Sequence, residues 1–101
     1  MSEYTPDKWV ILNMDYKGKT CQKVLAGWSG GYLDGDSWRI NSGIETIVET
    51  DDRFEIIGYS GSVYICYKNR QGFSMAMLSV FGEWAERIKD DDTVSITVEE
   101  I

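Results

Sequence analysis

Short runs of β-branched and aromatic residues, separated by turn-forming residues, fill most of this chain, and one segment alone has the period of a helix. The strand-like runs, typical of half-buried strands, cover residues 8–14, 21–28, 44–50, 54–59, 62–67 and 93–99. Apolar residues within 73–88 recur mainly at spacings of three and four, which indicates one amphipathic helix. We therefore predict an α+β fold: a twisted antiparallel β-sheet meander with one amphipathic C-terminal helix packed on it.

The length of 101 residues favours a single domain over 1–101. Residues 1–7 are polar and contain Pro6, so we expect a loose N-terminal lead-in. A turn at 15–19 should close a hairpin between the first two strands. Residues 29–37 hold three glycines and are expected to form no regular element.

Composition excludes several kinds of site. The chain has no histidine, which removes the Ser-His-Asp and Cys-His nucleophile pairs and the usual general base at pH 7. Two cysteines, Cys21 and Cys66, without C-x-x-C spacing argue against zinc. The net charge of −7 argues against direct nucleic-acid binding. We expect no enzyme activity, no cofactor, no metal, no membrane segment and a cytoplasmic location.

A four-residue pattern occurs twice: Gly27–Gly30 (Gly-Trp-Ser-Gly) and Gly58–Gly61 (Gly-Tyr-Ser-Gly). One interpretation is a pair of tight turns, which need glycine and serine. The other is a binding site, because flat aromatic faces beside hydrogen-bonding groups suit a planar or sugar-like ligand, or a protein hot spot. The candidate site residues are Trp28, Tyr32, Asp34, Asp36, Trp38, Arg39, Asn41, Tyr59, Ser60 and Tyr64.

Two motif matches fail, one on its spacing and one on its missing partner residues. Asp34 and Asp36 flank Gly35, but Trp38 and Arg39 occupy the places where a calcium loop needs an oxygen ligand and a glycine. The Gly-Trp-Ser-Gly-Gly run at 27–31 matches a nucleophile elbow, yet the chain holds no histidine partner and no helix is predicted to follow.

Acidic residues cluster around one predicted hairpin, at Glu49, Asp51, Asp52 and Glu55. A solvated surface that maintains solubility is one explanation. The other is mimicry of nucleic acid, in which carboxylates imitate phosphates and steer the chain to a basic groove.

Three segments, at 9–11, 23–44 and 58–64, resemble short uncharacterised proteins of tailed bacteriophages, and the resemblance extends over residues 9–67. These proteins have no established activity, so the resemblance implies only a phage protein that acts by binding a host component. We hypothesise a phage accessory protein that binds and inhibits a host protein, one that handles nucleic acid or belongs to anti-phage defence. The alternative is a small-ligand binder that sequesters a nucleotide-like or sugar-like molecule. A virion component is a third hypothesis, and a homodimer would cover the large aromatics of the glycine-rich loop.

Overall fold

The computed structural model of the protein describes residues 2–31 and 35–101, excluding the side chains of residues 30, 31, 35 and 36. Within these ranges the helix α1 is Met75–Ile88, and a short 3-10 turn precedes it at Lys68–Arg70. The strands are β1 Glu3–Tyr4, β2 Lys8–Tyr16, β3 Lys19–Gly31, β4 Gly35–Ile40, β5 Ile44–Glu49, β6 Arg53–Gly58, β7 Val63–Tyr67 and β8 Val94–Glu99.

The strands form two four-stranded sheets. Sheet A has the order β1-β7-β6-β5, and sheet B has the order β4-β3-β2-β8. All described pairs of strands are antiparallel except β1 with β7. The predicted α+β class is confirmed. The strands are divided between two sheets, whereas the sequence pattern predicted one meander.

The burial of β2 explains the division. Trp9 and Ile11 point into a core shared with sheet A, while Val10 and Leu12 point into a second core beneath α1. All four side chains are at most 2% exposed. A strand that is apolar on both faces needs cover on both, so sheet B lies between α1 and sheet A. A single sheet with one helix would have left Trp9 and Ile11 in water.

The first hairpin turn and the start of α1 are both formed by residue types that favour these structures. The β2–β3 hairpin turns at Lys17 and Gly18, whose φ angles of 49° and 82° give the left-handed geometry of a tight hairpin loop. Ser74 begins α1 as its N-cap and accepts a hydrogen bond from the Met77 amide at 3.3 Å. Of the described residues, none belongs to a helix with the length and apolar character needed to cross a membrane.

Two segments are more regular than predicted. Residues 29–31 continue β3 and residues 35–37 begin β4, so the prediction of no regular element there is wrong. The glycines are accommodated by an irregular register between Trp28 and Gly31. In the expected lead-in, Glu3 and Tyr4 form β1 beside Val63 and Tyr64.

Candidate functional site

An open groove runs along the outer strand of sheet B, and we call it the β4 groove. Its volume is about 600 Å³. Its lining residues are Tyr4, Trp28, Ser37, Trp38, Arg39 and Ile40. Three of these, Trp28, Trp38 and Arg39, belong to the predicted binding residues, and the fold brings them together from β3 and β4.

One side of the groove is a stack of aromatic rings capped by an arginine. The Tyr4 ring stacks on Tyr64 with centroids 5.0 Å apart, and Trp28 meets Tyr4 edge-on at 6.1 Å. The Arg39 guanidinium carbon lies 4.7 Å from the centroid of the Tyr4 ring, and its Nη1 donates a hydrogen bond to the Tyr4 hydroxyl at 2.9 Å. The cation–π contact and the hydrogen bond both hold the exposed Arg39 side chain against Tyr4.

The opposite side of β4 carries Trp38. Successive side chains of a strand point to opposite faces, so Trp38 faces α1 while Arg39 faces sheet A. Trp38 packs edge to face on Trp84 of α1 with centroids 5.5 Å apart, yet 43% of it remains exposed. The strand therefore presents an indole on one face and a guanidinium on the other.

The backbone of β4 has a free edge. Among the described strands, β4 pairs with β3 alone. The Asn41 amide donates to the Val24 carbonyl at 3.2 Å, and Ala26 pairs with Arg39 two residues along. Hydrogen-bonded pairs alternate along an antiparallel ladder, so the amides of Trp38 and Ile40 point outward. An outer strand with outward amides is a template for another extended chain.

Two predicted site residues lie in the protein interior. Asn41 is 6% exposed, and its Oδ1 accepts from the Val24 amide at 3.0 Å while its Nδ2 donates to the Gly43 carbonyl at 3.2 Å. Tyr64 is 1% exposed beneath Tyr4, and burial raises the pKa of its hydroxyl. Asn41 ties β4 to β3, and Tyr64 supports the aromatic stack from below.

Tyr59 and Ser60 lie elsewhere. They occupy the turn between β6 and β7, where Tyr59 is 69% exposed and its ring packs against Gly43, beyond the end of β4. The second Gly-x-Ser-Gly copy is thus a turn, with Gly61 at a φ of 90°. The first copy, Gly27–Gly30, lies inside β3. The shared pattern therefore adopts two different structures, and the expectation of two turns holds for the second copy alone.

Three further candidates cannot be placed in the site. Tyr32 and Asp34 lie outside the described residues, and Asp36 belongs to β4 with its side chain outside the description. The homodimer hypothesis relied on Trp28, Tyr32 and Trp38 as exposed aromatics. Trp28 is half-buried, and its Nε1 donates to the Thr5 carbonyl at 3.1 Å. The dimer stays a prediction.

The acidic hairpin is partly neutralised by its own cations. Lys68 Nζ lies 2.7 Å from Glu49 Oε2. Arg53 bridges Asp52 and Glu55, each at 3.2 Å, and the hydrogen bond to Glu55 raises the pKa of Arg53. Two cations thus stand among four carboxylates, which reduces the charge that this hairpin presents to a partner.

Sequence reasoning missed Tyr4, which completes the site. Nothing in residues 1–7 distinguishes Tyr4 as a binding residue, because its role depends on the pairing of β1 with β7, which places it over Tyr64 and Arg39. A two-residue parallel strand carries no periodic signal of its own.

The groove offers aromatic surface, one guanidinium and backbone amides, which is the chemistry of recognition. Over the described residues, no cluster of three acidic or cysteine side chains is arranged to hold a metal ion. In comparisons with known proteins, no family model, no curated protein and no solved structure matches the chain.

Proposed function

We propose that this chain is a non-enzymatic phage protein that binds and inhibits a host protein in the host cytoplasm, by pairing an extended segment of that protein with β4. The observation that carries the proposal is the outer edge of β4, unpaired among the described strands, where the outward amides of Trp38 and Ile40 lie between an exposed indole and the Arg39 guanidinium. Trp, Tyr and Arg are the residues that dominate protein hot spots.

Strand addition explains how the groove would select its partner. Main-chain hydrogen bonds to an open edge supply affinity, and alternate side chains of the added strand supply specificity. A residue on the α1 side of the added strand would contact Trp38, so an apolar side chain fits there. Its neighbour would lie on the sheet A side beside Arg39, where a carboxylate fits.

The geometry favours an extended protein segment over the small nucleotide-like or sugar-like ligand. Small-molecule sites enclose most of the ligand surface, whereas Ser37, Trp38 and Arg39 are all exposed along an open edge. A planar ligand also needs a free aromatic face. Tyr64 and Arg39 both pack on the Tyr4 ring, which leaves little of that ring for a base or a sugar.

Inhibition follows from occlusion. A host segment held along β4 is withdrawn from its own partners or active site, and no chemistry by the inhibitor is needed. The resemblance to short phage proteins supplies the host setting of this proposal. The ion pairs at Glu49 and Asp52 reduce the charge of the acidic hairpin, which supports strand addition over nucleic-acid mimicry as the proposed source of affinity.

Capture from host lysate tests the proposal, with the tagged chain compared at about 50 and about 300 mM salt, a range over which screening increases markedly. Trp38→Ala removes the indole, and Trp38→Pro also removes the outward amide without breaking a bond to β3. Arg39→Glu is matched by Arg70→Glu, a half-exposed arginine outside the groove. Thermal unfolding confirms that each variant is folded.

We expect the wild-type chain to capture one dominant partner, and capture should persist at the higher salt. Capture should be weaker with Trp38→Ala and absent with Trp38→Pro and with Arg39→Glu. Arg70→Glu should capture as much partner as the wild type. The captured protein should lose activity when the wild-type chain is added. Equal capture by wild type and Trp38→Pro would overturn β4 as the docking edge. Absence of any captured protein, or a homodimer that Trp38→Pro dissociates, would overturn the proposed function.

A further inference from the structure

A second cleft lies on the other side of Trp84, between the last turns of α1 and the open face of sheet B. Its volume is about 340 Å³, within the range of about 300–1,000 Å³ typical of small-molecule pockets. Trp84 and Ile88 form its roof, and Met14, Ile40 and Ile96 contribute to its floor. These side chains come from four different elements, so the cleft is a product of the tertiary fold.

Lys23 is the residue that makes this cleft unusual. Along β3, Leu25 and Gly27 face α1, because Leu25 packs in the core beneath the helix and a Cβ on Gly27 would lie 2.6 Å from Met77 Sδ. Lys23 has the same parity as both, so it points to the same apolar face and lines the cleft. A lysine is ordinarily excluded from such a face unless its ammonium has a partner or reaches water.

Arg87 supplies a second cation at the same cleft, and none of the described acidic residues lines it. Arg87 Nη2 lies 2.9 Å from Glu83 Oε1, one turn earlier on α1, with both side chains more than half exposed. An exposed pair of this kind contributes little stability, so Arg87 can exchange Glu83 for another anion. In the described part of the chain, Lys23 has no ion pair.

We propose that this cleft binds a free small molecule with an apolar body and one anionic head, such as a fatty acid or an aromatic carboxylate. The apolar body would lie between Trp84 and Ile96, and the carboxylate would meet Lys23 and Arg87. Apolar walls supply affinity in such a site, while a few charged groups fix the orientation of the ligand. The cleft shares Ile40 with the β4 groove, but the proposed ligand binding does not depend on strand addition at β4.

Decanoate, well below its micelle-forming concentration, and decan-1-ol, below its solubility limit in water, are the probes, and calorimetry measures binding. Lys23→Met keeps the apolar stem and removes the charge, and Lys19→Met is its control on the same strand, in an exposed position. Val94→Phe narrows the cleft from β8. Thermal unfolding without ligand establishes that every variant is folded.

We expect decanoate to bind at one site per chain and about tenfold more tightly than decan-1-ol, as a charge-assisted contact implies. Lys23→Met should weaken the binding of decanoate about tenfold and change the binding of decan-1-ol little. Val94→Phe should weaken the binding of both probes, and Lys19→Met should change neither. Equal affinity for decanoate and decan-1-ol would overturn the proposal that the cleft recognises an anionic head group. Decanoate binding that neither Lys23→Met nor Val94→Phe changes would overturn the proposal that the ligand binds in this cleft. A dimer in sedimentation that Val94→Phe dissociates would show that a second copy covers the cleft, which also overturns the proposal.

Discussion

Trp38 of β4 and Trp84 of α1 pack edge to face, with ring centroids 5.5 Å apart and ring planes inclined by 85°. This contact joins the two features from which function is proposed here. Trp38 lines the β4 groove, and Trp84 forms the roof of the cleft beneath α1. The edge strand is therefore held to the helix by a geometrically specific aromatic pair.

A double-mutant cycle on this pair should reveal a direct coupling. The variants Trp38→Ala, Trp84→Ala and the double variant are compared by urea unfolding. We expect a coupling free energy of about 0.5–1.5 kcal/mol, the range for aromatic pairs beyond their buried area. Strict additivity of the two single variants would contradict a specific contact between the rings.

Gly27→Ala should destabilise the fold, since the added Cβ would lie 2.6 Å from Met77 Sδ and 2.8 Å from Ser74 Oγ. Met77 is fully buried and Ser74 caps α1, so relieving the clash displaces a packed core side chain and the N-cap hydroxyl, at a cost of about 1–3 kcal/mol. Gly82→Ala is the control within α1: its Cβ meets no described atom within 4 Å, and it should stabilise by up to about 1 kcal/mol. Urea unfolding of both variants checks that the free energy of unfolding falls in Gly27→Ala and rises in Gly82→Ala.

Asn41→Ala should lower the free energy of unfolding by about 1–3 kcal/mol, because it leaves the buried Val24 amide and the Gly43 carbonyl without their side-chain partners. The adjacent exposed residue offers a control, and Ser42→Ala should change stability by less than about 0.5 kcal/mol. Partner capture per folded molecule should be unaffected by either variant. A selective loss of capture in Asn41→Ala, with normal stability, would instead place Asn41 in the binding site.

Alkaline pH should destabilise the protein through Cys66. Burial raises the pKa of its thiol from 9.0 to about 12. Between these values the unfolded chain loses the thiol proton while the native chain keeps it, so this contribution to stability is complete below pH 9 and falls as pH rises, by up to about 1.4 kcal/mol per pH unit. Cys66→Ala removes the contribution. We expect the stability difference between wild type and Cys66→Ala to narrow between pH 8 and pH 10 in urea unfolding, and a constant difference would contradict a buried neutral thiol.

The elements were predictable where each carries its own periodic signal. The β2–β3 hairpin, the three strands of 44–67, α1 and β8 all follow from apolar spacing and turn residues. The division into two sheets was harder to predict, although the run of apolar residues from Trp9 to Leu12 supplies apolar side chains to both faces of β2. Both faces of β2 are apolar, but periodicity alone does not show which strands cover each face.

The residue types of the candidate site could be predicted from the sequence, but the particular residues that line it were harder to predict. Trp28, Trp38 and Arg39 come together because β3 and β4 pair along residues that include 29–31 and 35–37, which sequence reasoning treated as irregular. Tyr4 and Lys23 escaped notice since each gains its role from a long-range contact: Tyr4 beside Arg39, and Lys23 on the face covered by α1. Asn41 looks like a surface polar residue in the sequence, and only its partners show that it is buried.

Hydrogen exchange at β4, measured by NMR on the free chain and on its complex with the captured host protein, tests the central claim most directly. In the free chain the amides of Trp38 and Ile40 point outward and should exchange quickly, while the Arg39 amide, directed at β3, should exchange slowly. In the complex, we predict strong protection of Trp38 and Ile40, with Arg39 little changed. Fast exchange of Trp38 and Ile40 in a fully formed complex would contradict docking by strand addition at β4.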